Sequence, residues 1–282
     1  MPLWVVTGIG RAVSRPVPLY TLLMPNIDKH PAGAFCWIEL ATTDQAAAKN
    51  FYASLFGWHA NDMPMGPNDY YTIFRLEGRD TAAAYTLNPE RMPGVPPHWM
   101  LYISADSADD AAARAAQAGG NVVAQPFDVF DAGRMAVVQD PAGATFSLWQ
   151  ANRNQGIGIA GVDGTLCWAD LMTGDAARAR QFYSDLFGWQ ITPSPNDPSG
   201  YLHIKNGETF IGGIPPAGLQ PGVPPHWLLY ILASNCDAST EKAKSLGARI
   251  HYGPTTMENV GRWAVVADPQ GAVFAIFQPL PH

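Results

Sequence analysis

Two short apolar segments of the chain carry side chains that could bind a ligand or move a proton. Trp37 and Glu39 lie two residues apart in FCWIEL, and His98 and Tyr102 lie in HWMLYI, on either side of a methionine. If both segments are strands, alternate side chains share a face, so each pair points the same way. A carboxylate near an imidazole and a phenol could bind polar groups or exchange a proton with them, and an indole could stack on a planar ligand.

The same residue types recur in the second half of the chain, where Trp168, Asp170, His226 and Tyr230 take these places. Longer segments repeat with them, in the same order and at nearly constant spacing. CWIEL at 36–40 returns as CWADL at 167–171, FYASLFGW at 51–58 as FYSDLFGW at 182–189, GVPPHWMLYI at 94–103 as GVPPHWLLYI at 222–231, and GRMAVVQDPAGATFSLWQ at 133–150 as GRWAVVADPQGAVFAIFQ at 261–278. An internal repeat of this extent predicts two copies of one domain.

The repeat sets the domain boundaries. A chain of 282 residues is long enough for two cores, since one domain usually takes about 100–200 residues. We predict domain 1 at 33–150 and domain 2 at 163–280, joined by a Gly-rich polar linker at 151–162. Residues 1–32 form an N-terminal extension, to which we assign no function.

Each copy has the pattern of a strand, a helix and several further strands, repeated twice. Residues 34–41 have the composition of a strand, and Asp44 is suited to cap the helix that follows. Gly57 is suited to end that helix, because glycine readily adopts the left-handed backbone conformation. In the second half of the copy, 98–105 is a predicted strand and 106–118 a predicted Ala-rich helix. The fold class is therefore α+β, with two βαβββ modules in each domain.

The motif D-x6-FY-x2-LFGW, which starts at Asp44 and again at Asp175, resembles the opening βα unit of glyoxalase-like domains. The DPxG turns at Asp140 and Asp268 resemble the final hairpin of those domains. Over 33–280 the chain is thus similar to the vicinal-oxygen-chelate superfamily of glyoxalases, bleomycin-resistance proteins and dioxygenases, and to its tandem two-domain group of hydroxylases and mycobacterial antigens. The resemblance implies two tandem glyoxalase-like domains, each a curled mixed sheet with helices outside and a small-molecule site in its cleft.

The resemblance also implies where metal ligands would lie, and this sequence departs from the pattern there. The slots fall on Trp37, Met100 and Ser147 in the first copy and on Trp168, Leu228 and Ala275 in the second. An indole N–H is only a donor, and a divalent metal needs several imidazole or carboxylate ligands. We therefore expect no metal and no other cofactor. The same six positions, with Tyr102 and Tyr230, become candidate ligand-binding residues of metal-free clefts.

Three functions fit this pattern. The first is the binding of a small, planar or aromatic ligand in metal-free clefts, with weak catalysis by Glu39 and His98, or by Asp170 and His226, left open. The second is a metal-dependent lyase or dioxygenase of the same superfamily with shifted ligands, such as Glu39 with His98. The third is a non-catalytic interaction protein with vestigial clefts. In a purely structural interpretation, Trp37 fills the former metal hollow and His98 only bonds to the adjacent Pro-Pro turn.

Composition narrows the partners and the compartment. The net charge is −7 and the pI about 5.4, with no basic run, so we expect no nucleic-acid partner. Three cysteines without CxxC spacing fit a reducing cytoplasm. No apolar stretch reaches the roughly 18 residues that a membrane span needs. We expect a cytoplasmic protein, a monomer or weak homodimer, whose partner is a small-molecule ligand.

Overall fold

The structure is a computed structural model that describes residues 26–67, 69–90, 92–193, 199–216, 219, 222–258 and 260–280. Most of the predicted N-terminal extension, residues 1–25, lies outside the described residues. The part of the extension that is described packs on the linker, because Ile27 N donates to Gly158 O at 3.0 Å and His30 bonds to Ile157 O at 2.9 Å. Within the described ranges, none of the helices is both long and apolar enough to cross a membrane.

Domain 1 contains eight strands and two helices. In chain order they are β1 Phe35–Thr42, α1 Gln45–Phe56, β2 His59–Gly66, β3 Asp69–Leu76, β4 Arg79–Thr86, β5 His98–Ser104, α2 Ala108–Gln117, β6 Asn121–Val129, β7 Gly133–Gln139 and β8 Thr145–Ala151. The strands form one sheet in the order β2-β3-β4-β1-β5-β8-β7-β6. Each βαβββ module supplies four adjacent strands, and the two modules meet where β1 pairs antiparallel with β5.

Domain 2 repeats this plan. Its elements are β9 Leu166–Met172, α3 Ala176–Phe187, β10 Gln190–Pro193, β11 Leu202–Asn206, β12 Thr209–Ile214, β13 His226–Leu232, α4 Cys236–Ser245, β14 Arg249–Met257, β15 Gly261–Ala267 and β16 Val273–Pro279. The sheet order β10-β11-β12-β9-β13-β16-β15-β14 matches that of domain 1 strand for strand. The predicted α+β fold of two tandem domains, each with two βαβββ modules, is confirmed.

The helix boundaries follow from local capping. The Asp44 side chain accepts a hydrogen bond of 2.9 Å from Ala47 N, and so satisfies one of the amides that a helix start leaves free. Gly57 ends the helix at φ 74°, a conformation that costs a residue with a Cβ more than it costs glycine. Helix α2 begins two residues later than the sequence suggested, because Ser107 caps it by accepting from Asp110 N.

The predicted βαβββ pattern requires three strands after α1, but the local sequence does not mark the position of β2. All eight of its residues are exposed, and its sequence HANDMPMG has little of the alternation that marks a half-buried strand. It forms because it lies at the edge of the sheet, where one neighbour, β3, supplies its backbone hydrogen bonds. Strand β10 takes the same place in domain 2 and is only four residues long.

The core lies on the helix side of each sheet and continues from one domain into the other. Helix α1 packs beside α4, and α2 beside α3, so each helix of domain 1 meets one of domain 2. Two indoles cross the boundary in equivalent ways. Trp58 Nε1 donates to Gly164 O at 2.9 Å, and Trp189 Nε1 donates to Gly33 O at 3.0 Å. Gly33 has φ 78°, and a Cβ there would come within 3.0 Å of the Trp189 nitrogen, so this close approach requires glycine.

Candidate functional site

A buried hydrogen-bonded cluster forms around Glu39 on the face of the domain 1 sheet that the helices do not cover, here called cleft face 1. Glu39 Oε1 accepts from the Tyr102 hydroxyl at 2.8 Å, and Oε2 accepts from the Tyr71 hydroxyl at 2.7 Å. Trp37 Nε1 donates to the Tyr71 oxygen at 3.2 Å. The carboxylate is thus held between two phenols, one of which is oriented by the indole.

Strand register brings these residues together. Trp37 lies opposite Tyr102 and Glu39 opposite Met100, because β1 and β5 pair antiparallel. On the other side of β1, Glu39 lies beside Ala83 of β4. Tyr71 comes from β3, two strands from β1, and its long side chain reaches across to the carboxylate. The pairing of Trp37, Glu39 and Tyr102 on one face, which alternation predicted, is present in the structure.

Domain 2 builds the same cluster around Asp170. Its Oδ1 accepts from the Tyr201 hydroxyl at 2.5 Å and from Trp168 Nε1 at 3.0 Å, and its Oδ2 accepts from the Tyr230 hydroxyl at 2.8 Å. Trp168 Nε1 also lies 2.8 Å from the Tyr201 oxygen. His203 lies next to this cluster, with its ring centroid 4.9 Å from that of Tyr201 and 6.4 Å from that of Trp168.

The electrostatics of both clusters are dominated by the loss of water. Burial raises the pKa of Glu39, and the hydrogen bonds from Tyr71 and Tyr102 offset part of that rise. Burial and then the charge on Glu39 raise the pKa of both phenols well above the ordinary value. The phenols therefore stay protonated and remain donors at neutral pH, while the carboxyl group takes up a proton closer to neutrality than an exposed glutamate does.

The pKa of Asp170 is set by the same two opposing effects as that of Glu39. Burial raises the pKa of the Asp170 carboxyl group, against the hydrogen bonds from Tyr201, Tyr230 and Trp168. Burial and the nearby carboxylate also raise the pKa values of Tyr201 and Tyr230 well above the usual range. Acid–base groups with shifted pKa values in one cluster are the pattern that often accompanies proton transfer in a site.

The two histidines predicted beside the carboxylates make other contacts. His98 lies opposite Ala41 rather than Glu39, and its Nδ1 is 2.9 Å from Pro96 O. His226 repeats this with Pro224 O, also at 2.9 Å. Since a carbonyl oxygen can only accept, Nδ1 carries the hydrogen in both rings. Each oxygen of Glu39 accepts from a phenol and His98 bonds to Pro96, so the structure shows no Glu39–His98 hydrogen bond among the described residues.

The positions that correspond to metal ligands in the resemblance hold side chains that do not fit a metal. Trp37 and Trp168 are 3% and 6% exposed, and each donates its N–H within its cluster. Leu228 and Ala275 are buried and apolar. Among the described residues, no three His, Cys, Asp or Glu side chains come together as a possible metal-binding group. Met100 and Ser147 are the only neutral weak donors at these six positions, and they cannot replace imidazole or carboxylate ligands.

Ser147 has an unusual environment. It is 1% exposed and lies beside Tyr102 in the parallel register of β5 and β8, on cleft face 1. Its hydroxyl has no hydrogen-bond partner among the described residues. A buried polar group without a partner costs about 1–3 kcal/mol. A ligand group that reached this point would therefore recover a hydrogen bond that the protein alone does not make.

Apolar side chains surround the Glu39 cluster. Cross-strand partners share a face, so Met63, which pairs with Tyr71, and Val137, which pairs with Ser147, both belong to cleft face 1. Met100 lies opposite Glu39 and is partly exposed. At the edges of cleft face 1, Met63 and Phe127 are 47% and 46% exposed, more than the residues next to Glu39.

Tyr71 and Tyr201 were missed by the sequence analysis, although they hold the carboxylates. They lie in the part of the repeat where the two copies differ in length, so simple offsets from flanking motifs do not align them. One feature of the sequence that marks both residues is a tyrosine at the start of the equivalent strands β3 and β11, within β3 at Tyr71 and just before β11 at Tyr201. His203 corresponds by register to Ile73, so domain 1 has no imidazole at this position.

These features define a class of protein in which four βαβββ modules pair into two sheets, each with a polar cluster on the face away from its helices. The chain belongs to the glyoxalase/bleomycin resistance protein/dioxygenase superfamily, whose family model matches residues 34–148 and 165–276. The two matched segments coincide with the two sheets. The resemblance inferred from the sequence is therefore confirmed.

Several known proteins are similar to almost the whole chain. The protein named "Putative glyoxylase CFP32" of Mycobacterium tuberculosis is 39% identical over 265 residues, which is 92% of this chain and 100% of that protein. The "Anthracycline biosynthesis protein DnrV" of Streptomyces peucetius is 34% identical over 261 residues, covering 87% of this chain and 93% of that protein.

Solved structures share the fold at low identity. The Mn(II)-bound glyoxalase from Novosphingobium aromaticivorans has a TM-score of 0.62 at 16% identity, covering 89% of this chain and 83% of that one. The 2,3-dioxygenase LapB from Pseudomonas sp. KL28 has a TM-score of 0.63 at 12% identity, covering 89% and 95%. At these identities the likeness shows the fold alone.

Proposed function

We propose that the chain binds a small, planar, largely apolar molecule on cleft face 1, without a metal, and that Glu39 hydrogen-bonds or exchanges a proton with a polar group of that molecule. The observation that carries this proposal is the carboxyl group held between Tyr71 and Tyr102, with the apolar side chains of Met63, Met100 and Val137 on the same face. A fixed polar group in an apolar surrounding is how small-molecule sites orient a ligand.

Glu39 is available to a ligand in spite of its two phenol partners. Each of its oxygens accepts one hydrogen bond, and a carboxylate has about four lone-pair positions. The residue as a whole is partly exposed on cleft face 1. A hydroxyl group of the ligand can therefore donate to Glu39, in a setting where burial has raised the pKa of the carboxyl group.

The walls suit a flat apolar ligand. Methionine side chains are flexible and polarizable, and they pack well against aromatic rings. Met63 and Met100 belong to strands whose register places them around the cluster, and Met63 is 47% exposed. Exposed apolar side chains that gather around a polar centre are typical of a ligand-binding surface.

The names of two relatives support this ligand class. The proteins of Streptomyces peucetius and of Streptomyces strain C5, at 34% and 33% identity, are both named for anthracycline biosynthesis. Anthracyclines are built on flat polycyclic quinones that carry several hydroxyl groups. A molecule of that kind has the apolar faces and the polar edge that cleft face 1 would accommodate.

Proton transfer is the chemistry that these groups supply. Glu39 in its charged form can accept a proton from a ligand hydroxyl or from an acidic carbon, and the protonated acid can return it elsewhere on the ligand. Tyr71 and Tyr102 keep the carboxyl group in place and stay protonated, because their pKa values are raised. Glu39 is accordingly the residue that would act in any reaction at this site.

Quinizarin, a planar dihydroxyanthraquinone, is a suitable probe of the proposal. Titration into the protein should quench indole fluorescence and raise the melting temperature, because a ligand that binds only the folded state stabilises it. Glu39→Gln should weaken binding about 10-fold, which corresponds to the loss of one charge-assisted hydrogen bond. The matched control is the exposed Glu90→Gln, which should bind as the wild type does.

Absence of binding by quinizarin and by a panel of planar hydroxylated aromatics would overturn the proposal. Equal affinity of the wild type and Glu39→Gln would show that the ligand binds without contacting the carboxyl group. Binding that requires an added divalent metal would instead support the alternative of a metal-dependent lyase or dioxygenase.

A further inference from the structure

We propose that domain 1 alone accepts a ligand, and that the equivalent face of domain 2, here called cleft face 2, is closed by its own side chains. The chemistry of the ligand rests on the proposed function, whereas the difference in access between the two faces does not. Residues that occupy equivalent register positions in the two sheets differ in exposure and in hydrogen bonding.

Asp170 and Glu39 differ in the number of hydrogen bonds that they accept from their own domain. Asp170 accepts three side-chain hydrogen bonds, from Tyr201, Trp168 and Tyr230, and only 4% of its surface is exposed. Glu39 accepts two and is partly exposed. The Trp168 indole lies 3.0 Å from Asp170 in addition to its 2.8 Å contact with Tyr201, whereas the Trp37 indole bonds to Tyr71 and not to Glu39. Asp170 therefore has less room for a further partner.

The residue that faces each carboxylate differs in the same direction. Met100 lies opposite Glu39 and is partly exposed, whereas Leu228 lies opposite Asp170 and is 5% exposed. Leu228 belongs to a buried apolar cluster that is separate from the main core. Its buried members are Trp168, Leu228, Tyr230, Ala275 and Phe277, and Tyr201, Phe210 and Trp263 pack against them. These side chains thus fill the part of cleft face 2 that lies opposite Asp170.

Backbone geometry explains how Tyr201 closes over Asp170. Gly213 lies beside Asp170 in the register of β12 and β9, and a Cβ on Gly213 would collide with the ring and hydroxyl of Tyr201. The missing Cβ lets Tyr201 lie against the sheet. At the equivalent position in domain 1, Ala83 lies beside Glu39, so the space that Tyr201 uses above Gly213 is taken by a methyl group.

Ser147 distinguishes cleft face 1 from cleft face 2. It lies beside Tyr102, and its equivalent beside Tyr230 is Ala275. The Ser147 hydroxyl is buried without a partner among the described residues, whereas Ala275 has no polar group to satisfy. A ligand on cleft face 1 that displaced the side chains covering Ser147 would form a hydrogen bond that cleft face 2 cannot offer.

Thiol reactivity tests the difference in access without any ligand. Met100→Cys and Leu228→Cys place equivalent thiols opposite the two carboxylates. A thiol reagent such as dithiobisnitrobenzoate should react at position 100 at least about 10-fold faster than at position 228, since reactivity follows exposure. The wild type gives the background from Cys36, Cys167 and Cys236, of which Cys36 and Cys236 are buried. Equal rates, or faster reaction at position 228, would overturn the proposal.

Carboxyl labelling of the wild type gives a second measurement, which holds even if Leu228→Cys does not fold. Carbodiimide with glycinamide, followed by peptide mass spectrometry, should modify Glu39 several-fold faster than Asp170. A faster reaction at Asp170 contradicts the proposal in the unaltered protein.

Quinizarin titration then separates this proposal from the proposed function. One molecule should bind per chain, and reaction of the Met100→Cys thiol with the reagent should abolish binding. Two molecules per chain, or binding that survives the blocked position, would show that domain 2 also accepts the ligand. If quinizarin and related aromatics do not bind but position 100 and Glu39 are still the more reactive, the ligand class is wrong and the assignment of the open cleft to domain 1 stands.

Discussion

The phenol of Tyr52, in the first helix of domain 1, donates a 2.9 Å hydrogen bond to Oδ2 of Asp268, in the final hairpin of domain 2. The other oxygen of Asp268 accepts from the amides of Gln270, Gly271 and Ala272, so one carboxylate joins the turn to the opposite domain. Tyr183 and Asp140 make the reciprocal contact at 3.2 Å. The two domains thus exchange equivalent residues, as the subunits of a twofold dimer do.

Removal of the Tyr52 hydroxyl should destabilise both domains together. Tyr52→Phe leaves Asp268 Oδ2 without its donor and Trp99 Nε1 without its acceptor at 3.1 Å, all in a buried setting. A loss of about 1–3 kcal/mol in the free energy of unfolding is expected. Urea unfolding followed by circular dichroism measures it.

The matched controls for Tyr52→Phe are Tyr183→Phe and Tyr70→Phe. Tyr183→Phe removes the reciprocal contact and should cost a similar amount, whereas Tyr70 is 38% exposed and its change should stay within about 0.5 kcal/mol. A Tyr52→Phe protein as stable as the Tyr70→Phe protein would mean that the inter-domain bond contributes nothing.

The buried carboxyl group of Asp170 should make stability fall as pH rises. Burial raises its pKa in the folded protein, while in the unfolded chain an aspartate titrates near about 3.9. The folded state therefore binds this proton more tightly. The resulting stability is fully present below the unfolded pKa and is lost as pH rises through the folded pKa.

Asp170→Asn should remove this contribution. Urea unfolding should be measured from about pH 4 towards neutrality. As pH increases, the free energy of unfolding of the wild type should fall relative to that of Asp170→Asn. The exposed Asp163→Asn should keep the pH dependence of the wild type. A difference between wild type and Asp170→Asn that does not change with pH would contradict a raised pKa at this residue.

Replacement of Trp37 should lower the free energy of unfolding, and its effect on ligand binding can be measured only on the folded variants. Trp37 is 3% exposed and donates to Tyr71, so Trp37→Ala should cost about 3–5 kcal/mol through the cavity it leaves. Trp37→Phe should cost less, because it fills most of that space. Both variants should be tested for quinizarin binding at a temperature where they are folded. An alanine variant of unchanged stability would place the indole outside the packed core.

Chelation should leave the protein unchanged. Trp37, Met100 and Ser147 in domain 1, and Trp168, Leu228 and Ala275 in domain 2, offer no ligand set for a divalent transition metal. The melting temperature should be the same with and without EDTA, and elemental analysis of the purified protein should give substoichiometric zinc, iron, nickel and manganese. About one metal per domain, with a lower melting temperature after chelation, would favour the metal-dependent alternative.

The repeat and the local signals in the sequence predicted most of the fold. Asp44 and Gly57 set the ends of α1 because capping depends on residues within one turn of the helix. Strand alternation placed Trp37 and Glu39 on one face for the same local reason. The position of β2 escaped prediction because its pairing with β3, and not its own composition, makes it a strand.

The site was predicted only in part, because its partners come from distant strands. Glu39 and Tyr102 were expected on one face, but Tyr71 reaches Glu39 from the far side of β4, which no local pattern reveals. His98 was placed on the correct face, yet the carbonyl of Pro96, two residues away, takes its Nδ1. This contact is the one that the purely structural interpretation of His98 predicts, since that interpretation has His98 bond to the adjacent Pro-Pro turn.

Covalent fusion changes what the interface between the two domains must achieve. In a dimer of separate chains, every contact would have to offset the loss of translational freedom, whereas a short linker holds the partner at an effective concentration in the millimolar range or above. Because both domains are encoded in one chain, they can also carry different residues at equivalent positions. A mutation in a homodimer alters both sites at once, but here Ala275 and Gly213 could arise in one copy while Ser147 and Ala83 stayed in the other. The reciprocal Tyr52–Asp268 and Tyr183–Asp140 contacts keep the two domains packed symmetrically. The residues of the two clefts can differ without disturbing these contacts.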